Sequence, residues 1–144
     1  MAIVTISQTT ARPLIGAITR QFVMAEASQC GRWCYIDSND QLNETAADEA
    51  ATSEGTLAFI VSGAKQNTAG TVEAGETVTA VVFGPVAMPG AALDPTSDYY
   101  LANTTSTVNG LMADAAGTVT RRTGRALASE VFFVNPDIAV ATSA

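Results

Sequence analysis

Turn-forming residues punctuate this chain so often that most segments between them are only strand-sized. Asp37-Ser-Asn-Asp40, Ser62 to Gly70, Gly84-Pro85, Met88-Pro89-Gly90, Leu93-Asp-Pro95-Thr-Ser-Asp98 and Asn135-Pro136 all carry Gly, Pro, Asn or Asp. Pro fixes φ, Gly supplies positive φ, and Asn and Asp bond their own backbone. Between these punctuation marks lie β-prone runs: Trp33 to Ile36, Thr56 to Val61, Thr71 to Gly75, Glu76 to Phe83, Tyr99 to Ala102, Gly124 to Leu127 and Glu130 to Val134. Gly84-Pro85 is expected to end its strand, and Asn135-Pro136 to end the last one. Many short strands separated by such turns specify an all-β fold, a small β-barrel or β-sandwich.

The two ends read differently. Residues 1–29 are expected to form an extended N-terminal arm, 30–136 the β domain, and 137–144 a C-terminal tail that is loose or lies on a neighbour. Ile3, Val4 and Ile6 open the arm, Arg12-Pro13 keeps it extended, and Leu14-Ile15-Gly16-Ala17-Ile18 is apolar without strict alternation. Arg20 to Ala27, with Phe22, Val23 and Met24 among Ala and Glu, allows a short helix. Asn43 to Glu54 reads either as a short helix capped by Asn43 or as a surface loop. Apolar residues on an arm need a partner surface, so Ile3, Val4, Ile6, Leu14 and Ile15 are the first candidates for partner binding.

Charge narrows the partner. The 144 residues are 47% hydrophobic and only 15% charged, against about 25% charged in typical soluble domains. A surface so thinly charged is expected to be covered by other protein. The net charge is −7, which disfavours nucleic acid and anionic membranes. The longest apolar runs are too short to span a bilayer, and the N-terminus lacks the pattern of a signal peptide. Arg121, Arg122 and Arg125 form the one basic cluster and are expected to face an acidic neighbour.

Catalytic material is scarce. With no His in the chain, Ser-His-Asp and Cys-His catalysis and His-ligated zinc are excluded. Cys30 and Cys34 are spaced too widely for a redox Cys-x-x-Cys motif and read as reduced, partly buried small hydrophobes. Asp37/Asp40, Glu44/Asp48/Glu49 and Glu73/Glu76 are paired acids in polar surroundings, where solvated turn and surface roles are the default. Asp37-Ser-Asn-Asp40 starts like a calcium loop, but Gln41-Leu42 breaks the pattern. Lys65, on a turn, reads as a solvated side chain. No cofactor, metal or small-molecule substrate is expected, and the chain is not expected to be an enzyme. Trp33, Tyr35, Tyr99 and Tyr100 leave two readings open: core and interface aromatics, or a glycan-stacking patch.

The order of features from Cys34 to Val61 is echoed from Tyr99 to Val134, as if two similar β-units packed face to face.

Gly75-Glu-Thr-Val-Thr-Ala-Val-Val-Phe-Gly-Pro85, Leu93-Asp-Pro95, Tyr99-Tyr-Leu101, Gly124-Arg-Ala-Leu127 and Phe132-Phe-Val134-Asn-Pro136 follow one another in an order that resembles the head decoration (capsid cement) proteins of tailed bacteriophages. Trp33-Cys-Tyr-Ile-Asp-Ser-Asn-Asp-Gln-Leu42 fits the same pattern, so the resemblance covers about Arg32 to Pro136. It rests on strand-and-turn spacing and carries no site residues. It implies an accessory virion protein on the capsid exterior, assembled in the host cytoplasm, commonly a homotrimer, that clamps neighbouring major capsid subunits. The alternative is a tail-fibre or receptor-binding β-module that recognises a cell-surface glycan.

Overall fold

A computed structural model describes residues 11–44, 56–64, 70–101, 111–112, 119–120, 122–136 and 141–142. No helix occurs among the described residues. The fold is all-β, as the turn spacing demands.

Five strands close into a ring. They are β2 (Ile18–Met24), β4 (Trp33–Ile36), β5 (Gln41–Glu44), β6 (Leu57–Gly63) and β8 (Thr77–Ala87), in the circular order β8-β2-β5-β4-β6 and back to β8. All neighbours are antiparallel except β2 and β5, which pair in parallel at Val23 and Met24. Ring closure removes the unpaired edges that an open sheet would expose. Phe22, Met24, Cys34, Leu42, Ala58, Ile60, Val78 and Ala80, drawn from all five strands, pack together as the barrel core with Cys30 and Val72.

The sheet continues past the barrel because β8 is long. Its second half pairs β13 (Val131–Val134), which pairs β12 (Arg122–Ala128), then β9 (Asp98–Leu101), then β10 (Leu111–Met112). This extension folds back over the outside of β4 and β6. Phe132, Val134, Ala126 and Tyr99 pack on Trp33, Leu57, Phe59 and Val61 in a second core. Both faces of β4 and β6 are therefore buried, which is why Leu57–Val61 is a continuous apolar run rather than an alternating one. Short pairs complete the fold: β1 (Arg12–Pro13) on β8, β3 (Ser28–Gln29) with β7 (Thr71–Val72), and β11 (Val119–Thr120) with β14 (Ala141–Thr142).

Five expectations change. The strand does not stop at Gly84-Pro85. Gly84, at φ 110° beside a register shift between Ile18 and Thr19, bends β8 without ending it. Residues 12–29 are not an arm outside the β domain: they supply β1, β2 and β3, and β2 lines the barrel. No helix forms at Arg20–Ala27, because Phe22 and Met24 point into the barrel at strand spacing while β2 bonds β8 and β5. The tail is not wholly loose, since β14 pairs β11. The echo between the two halves has no structural counterpart. β4 pairs β6 directly, whereas β12 lies between β9 and β13.

Candidate functional site: an exposed apolar ridge

Directly paired residues on neighbouring strands share a face of the sheet. In the extension, Phe132 and Val134 face inward, so Val131 and Phe133 face outward. Phe133 pairs Pro85 on one side and Arg125 on the other, and Arg125 pairs Asp98. One strand further on, Phe83 pairs Ile18. A row of apolar side chains thus crosses the outer face from β13 through β8 to β2, with Arg125 of β12 at its end and Phe83 and Phe133 in edge-to-face contact.

The β1–β2 turn extends the row. Ala17 N donates to Leu14 O at 3.0 Å, which closes a tight turn with Gly16 at φ 97° in the position that requires positive φ. Ile15 stands at its tip, fully exposed. The turn sits directly on Gly84, where an added Cβ would lie 2.7 Å from Ala17 Cα. Gly84 therefore does two jobs: it bends β8 and admits the turn that carries Ile15.

Of five large apolar residues exposed among the described ones, four lie here: Ile15, Ile18 (55%), Phe83 (41%) and Leu127 (57%). Single exposed apolar residues are ordinary, but a concentration on one face marks an interaction surface.

Arginines border the ridge. Arg12 pairs Ala87, which pairs Val131, so Arg12 shares the outer face. Asp98 Oδ1 accepts a hydrogen bond from Arg125 Nη1 at 3.3 Å and forms an ion pair with Arg122 Nε at the same distance. Arg125 Nη2 also donates to Thr96 O at 3.2 Å. Arg122 and Arg125, expected to face a neighbour's acids, thus have an acid of their own chain beside them, although Arg125 is still half exposed.

The other predicted site residues fall as follows. Ile15 is on the ridge, and Leu14 is half-buried with its N–H on Pro85 O. Ile3, Val4, Ile6, Arg121, Lys65 and the 45–55 part of the Asn43–Glu54 segment lie outside the described residues. The sequence reading reached Ile18 only as the end of the apolar stretch Leu14–Ile18 and missed Phe83, Leu127 and Phe133. A signal for Phe133 was present: in Val131-Phe-Phe-Val134, strand alternation forces one of two adjacent rings outward.

The other residues singled out lie in the cores or in turns. Trp33 and Tyr99 are buried in the second core, and Tyr35 packs against it, so Trp33 and Tyr99 offer no stacking platform to a glycan. Cys30 and Cys34 are free and buried. Burial pushes the Cys30 thiol up to about 11, and burial raises the Cys34 thiol further. Asp37 organises its own turn. Oδ1 accepts from Gln41 N and Asn39 N, and Oδ2 from Asn43 Nδ2, which holds the carboxyl below its ordinary range. Those bonds occupy the oxygens that a calcium loop would turn to the ion. No group of three His, Cys, Asp or Glu side chains able to hold a metal occurs among the described residues.

No protein-family model matches the chain, and neither a curated protein nor a solved structure similar to it was found.

Proposed function

We propose that this chain is a non-catalytic accessory component of a protein shell, a decoration protein of a tailed-phage head, that works by docking rather than by chemistry. The observation that carries this reading is the ridge of Ile15, Ile18, Phe83 and Phe133, which lies outside both core clusters of the domain. Covering it removes apolar surface from water at about 25 cal/mol per Å². A protein that binds only the assembled shell stabilises that shell by mass action. Such a role needs a rigid body and a contact face, and the closed barrel with its folded-back extension supplies both.

The test is co-sedimentation with purified phage heads stripped of their outer accessory protein. The wild-type chain is expected to pellet with heads and not alone, and the Phe83→Ser/Phe133→Ser variant to stay in solution. A wild-type chain that ignores every stripped head, or a double variant that binds as well, would overturn the proposal.

A further inference from the structure

The seam between β2 and β5 closes at one end only. β5 meets β2 at Val23 and Met24, whereas β8 pairs with β2 from Ile18 to Val23. Along Ile18–Gln21 the edge of β2 away from β8 therefore meets no strand among the described residues, and all four residues are exposed. Neighbouring residues of a strand turn their N–H and C=O to opposite edges. Met24 N donates to Glu76 O and Met24 O accepts from Gly75 N, so Met24 turns toward the β8 side. Ala25 N donates to Leu42 O, so Ala25 turns toward β5. The register with β8 is unbroken from Thr19 to Val23. Thr19 and Gln21 thus present both backbone groups to the open edge. Two donors and two acceptors at strand spacing are what another extended strand completes.

We infer that this edge takes the segment Ile3–Ile6 of a second copy of the chain as an added strand. The inference stands apart from the reading of the ridge. Ile3-Val4-Thr5-Ile6 is a run of β-branched residues, and residues 1–10 hold no charged side chain, which is strand composition. Chain geometry selects the neighbour's segment over the molecule's own. β1 and β2 both pair antiparallel with β8 and are joined by the tight Leu14–Ala17 turn, so the chain travels along β8 from β1 toward β2. A segment ahead of Arg12 that keeps this direction leads away from its own β2. To lie on its own Thr19–Gln21 it would have to reverse and pass the Leu14–Ala17 turn. Arg12 pairs Ala87 and Arg20 pairs Ala80, a separation of about 23 Å along β8 at strand rise. Thr5 precedes Arg12 by the same number of residues that separates Ala80 from Ala87. A segment centred on Thr5 therefore reaches that level only fully stretched, with nothing left for the reversal. A second copy supplies the segment without reversing it. One copy's segment on the next copy's edge closes as a ring or a reciprocal pair, or extends as a string.

Sedimentation velocity on the full chain tests this, with circular dichroism as the check on folding. Wild type is expected to self-associate. Gln21→Pro removes an N–H that faces the open edge and no bond to β8, the position at which an edge strand tolerates proline. Val4→Pro/Thr5→Pro breaks the donated segment whichever of these adjacent residues faces the edge. Each variant is expected to associate about tenfold more weakly, the worth of one or two backbone hydrogen bonds. An equimolar mixture is expected to recover association and to stop at a heterodimer. The Gln21→Pro chain's segment can enter the Val4→Pro/Thr5→Pro chain's edge, but not the reverse. A synthetic peptide of residues 2–8 in excess is expected to dissociate wild type, which probes the edge with no substitution in it. A wild type that is monomeric at every concentration overturns the inference. So does association that survives either variant, a mixture that stays monomeric, or a peptide without effect. A monomer that still pellets with heads sinks this inference alone, and self-association without binding to heads sinks the docking proposal alone.

Discussion

Phe83 and Phe133 meet edge to face on the outside of the sheet, ring centroids 5.1 Å apart and planes at 85°. They come from strands paired with a diagonal offset, since Phe133 lies opposite Pro85 rather than Phe83. Neither ring is needed to fill a core. Phe83→Ser or Phe133→Ser is therefore expected to change unfolding free energy by no more than about 1 kcal/mol, the loss of one aromatic pair. The same changes are expected to abolish docking. Urea denaturation read beside co-sedimentation separates the two effects.

Gly84 is the opposite case. Its φ of 110° and the 2.7 Å approach of Ala17 Cα to an added Cβ make Gly84→Ala costly, roughly 2–4 kcal/mol from strain and overpacking together. Gly16→Ala shares the backbone strain but meets open space, so it is expected to cost less, about 1–2 kcal/mol. Urea midpoints of the two variants, measured side by side, check the ranking.

Trp33 fills the second core against Phe59 and Phe132, yet its buried Nε1–H has no hydrogen-bond partner among the described residues. Trp33→Phe removes volume but also removes an unsatisfied donor, whose burial alone costs about 1–3 kcal/mol. The substitution is expected to be nearly neutral, whereas Trp33→Ala costs about 3–5 kcal/mol. Equilibrium unfolding of both variants distinguishes the two contributions.

Stability is expected to fall at both extremes of pH. Asp37 and Asp94 are held below the usual carboxyl value of 3.8 by hydrogen bonds, Asp37 chiefly from Gln41 N–H and Asp94 chiefly from the Thr96 hydroxyl. Lowered folded values mean that their contribution is whole above 3.8 and is lost as pH falls through the folded values. The thiols work the other way. Burial raises Cys30 and Cys34 above 9.0, so stability is whole below pH 9.0 and declines as the unfolded chain ionises above it. Denaturant titrations across pH should show a plateau between these limits. A disulfide-exchange reagent at pH 8 should label neither thiol in the native protein and both in denaturant.

The all-β class was legible because turn chemistry is local: Asp37-Ser-Asn-Asp40 reads as a turn and folds as one, with Asp40 at φ 59°. Trp33–Ile36 was legible as a strand for the same reason. The closure of the barrel was not, because the parallel pairing of Val23 with Gln41 depends on contacts between distant segments. The N-terminal segment was misread for a related reason. Ile18 to Gln21 are exposed, so β2 shows alternation only from Phe22 onward. Of the candidate site, Ile15 was found from its apolar context. Phe83 was not, because a long apolar strand gives no hint of where a bend turns one ring to solvent.

The central claim is that the ridge is covered when the protein works. Ile15→Cys places a reactive thiol at its tip, and the native cysteines are buried, so a maleimide reads that position alone. The account predicts rapid labelling in the dilute free protein and strong protection once the chain is bound to heads. Equal labelling rates in the free and bound states would contradict it.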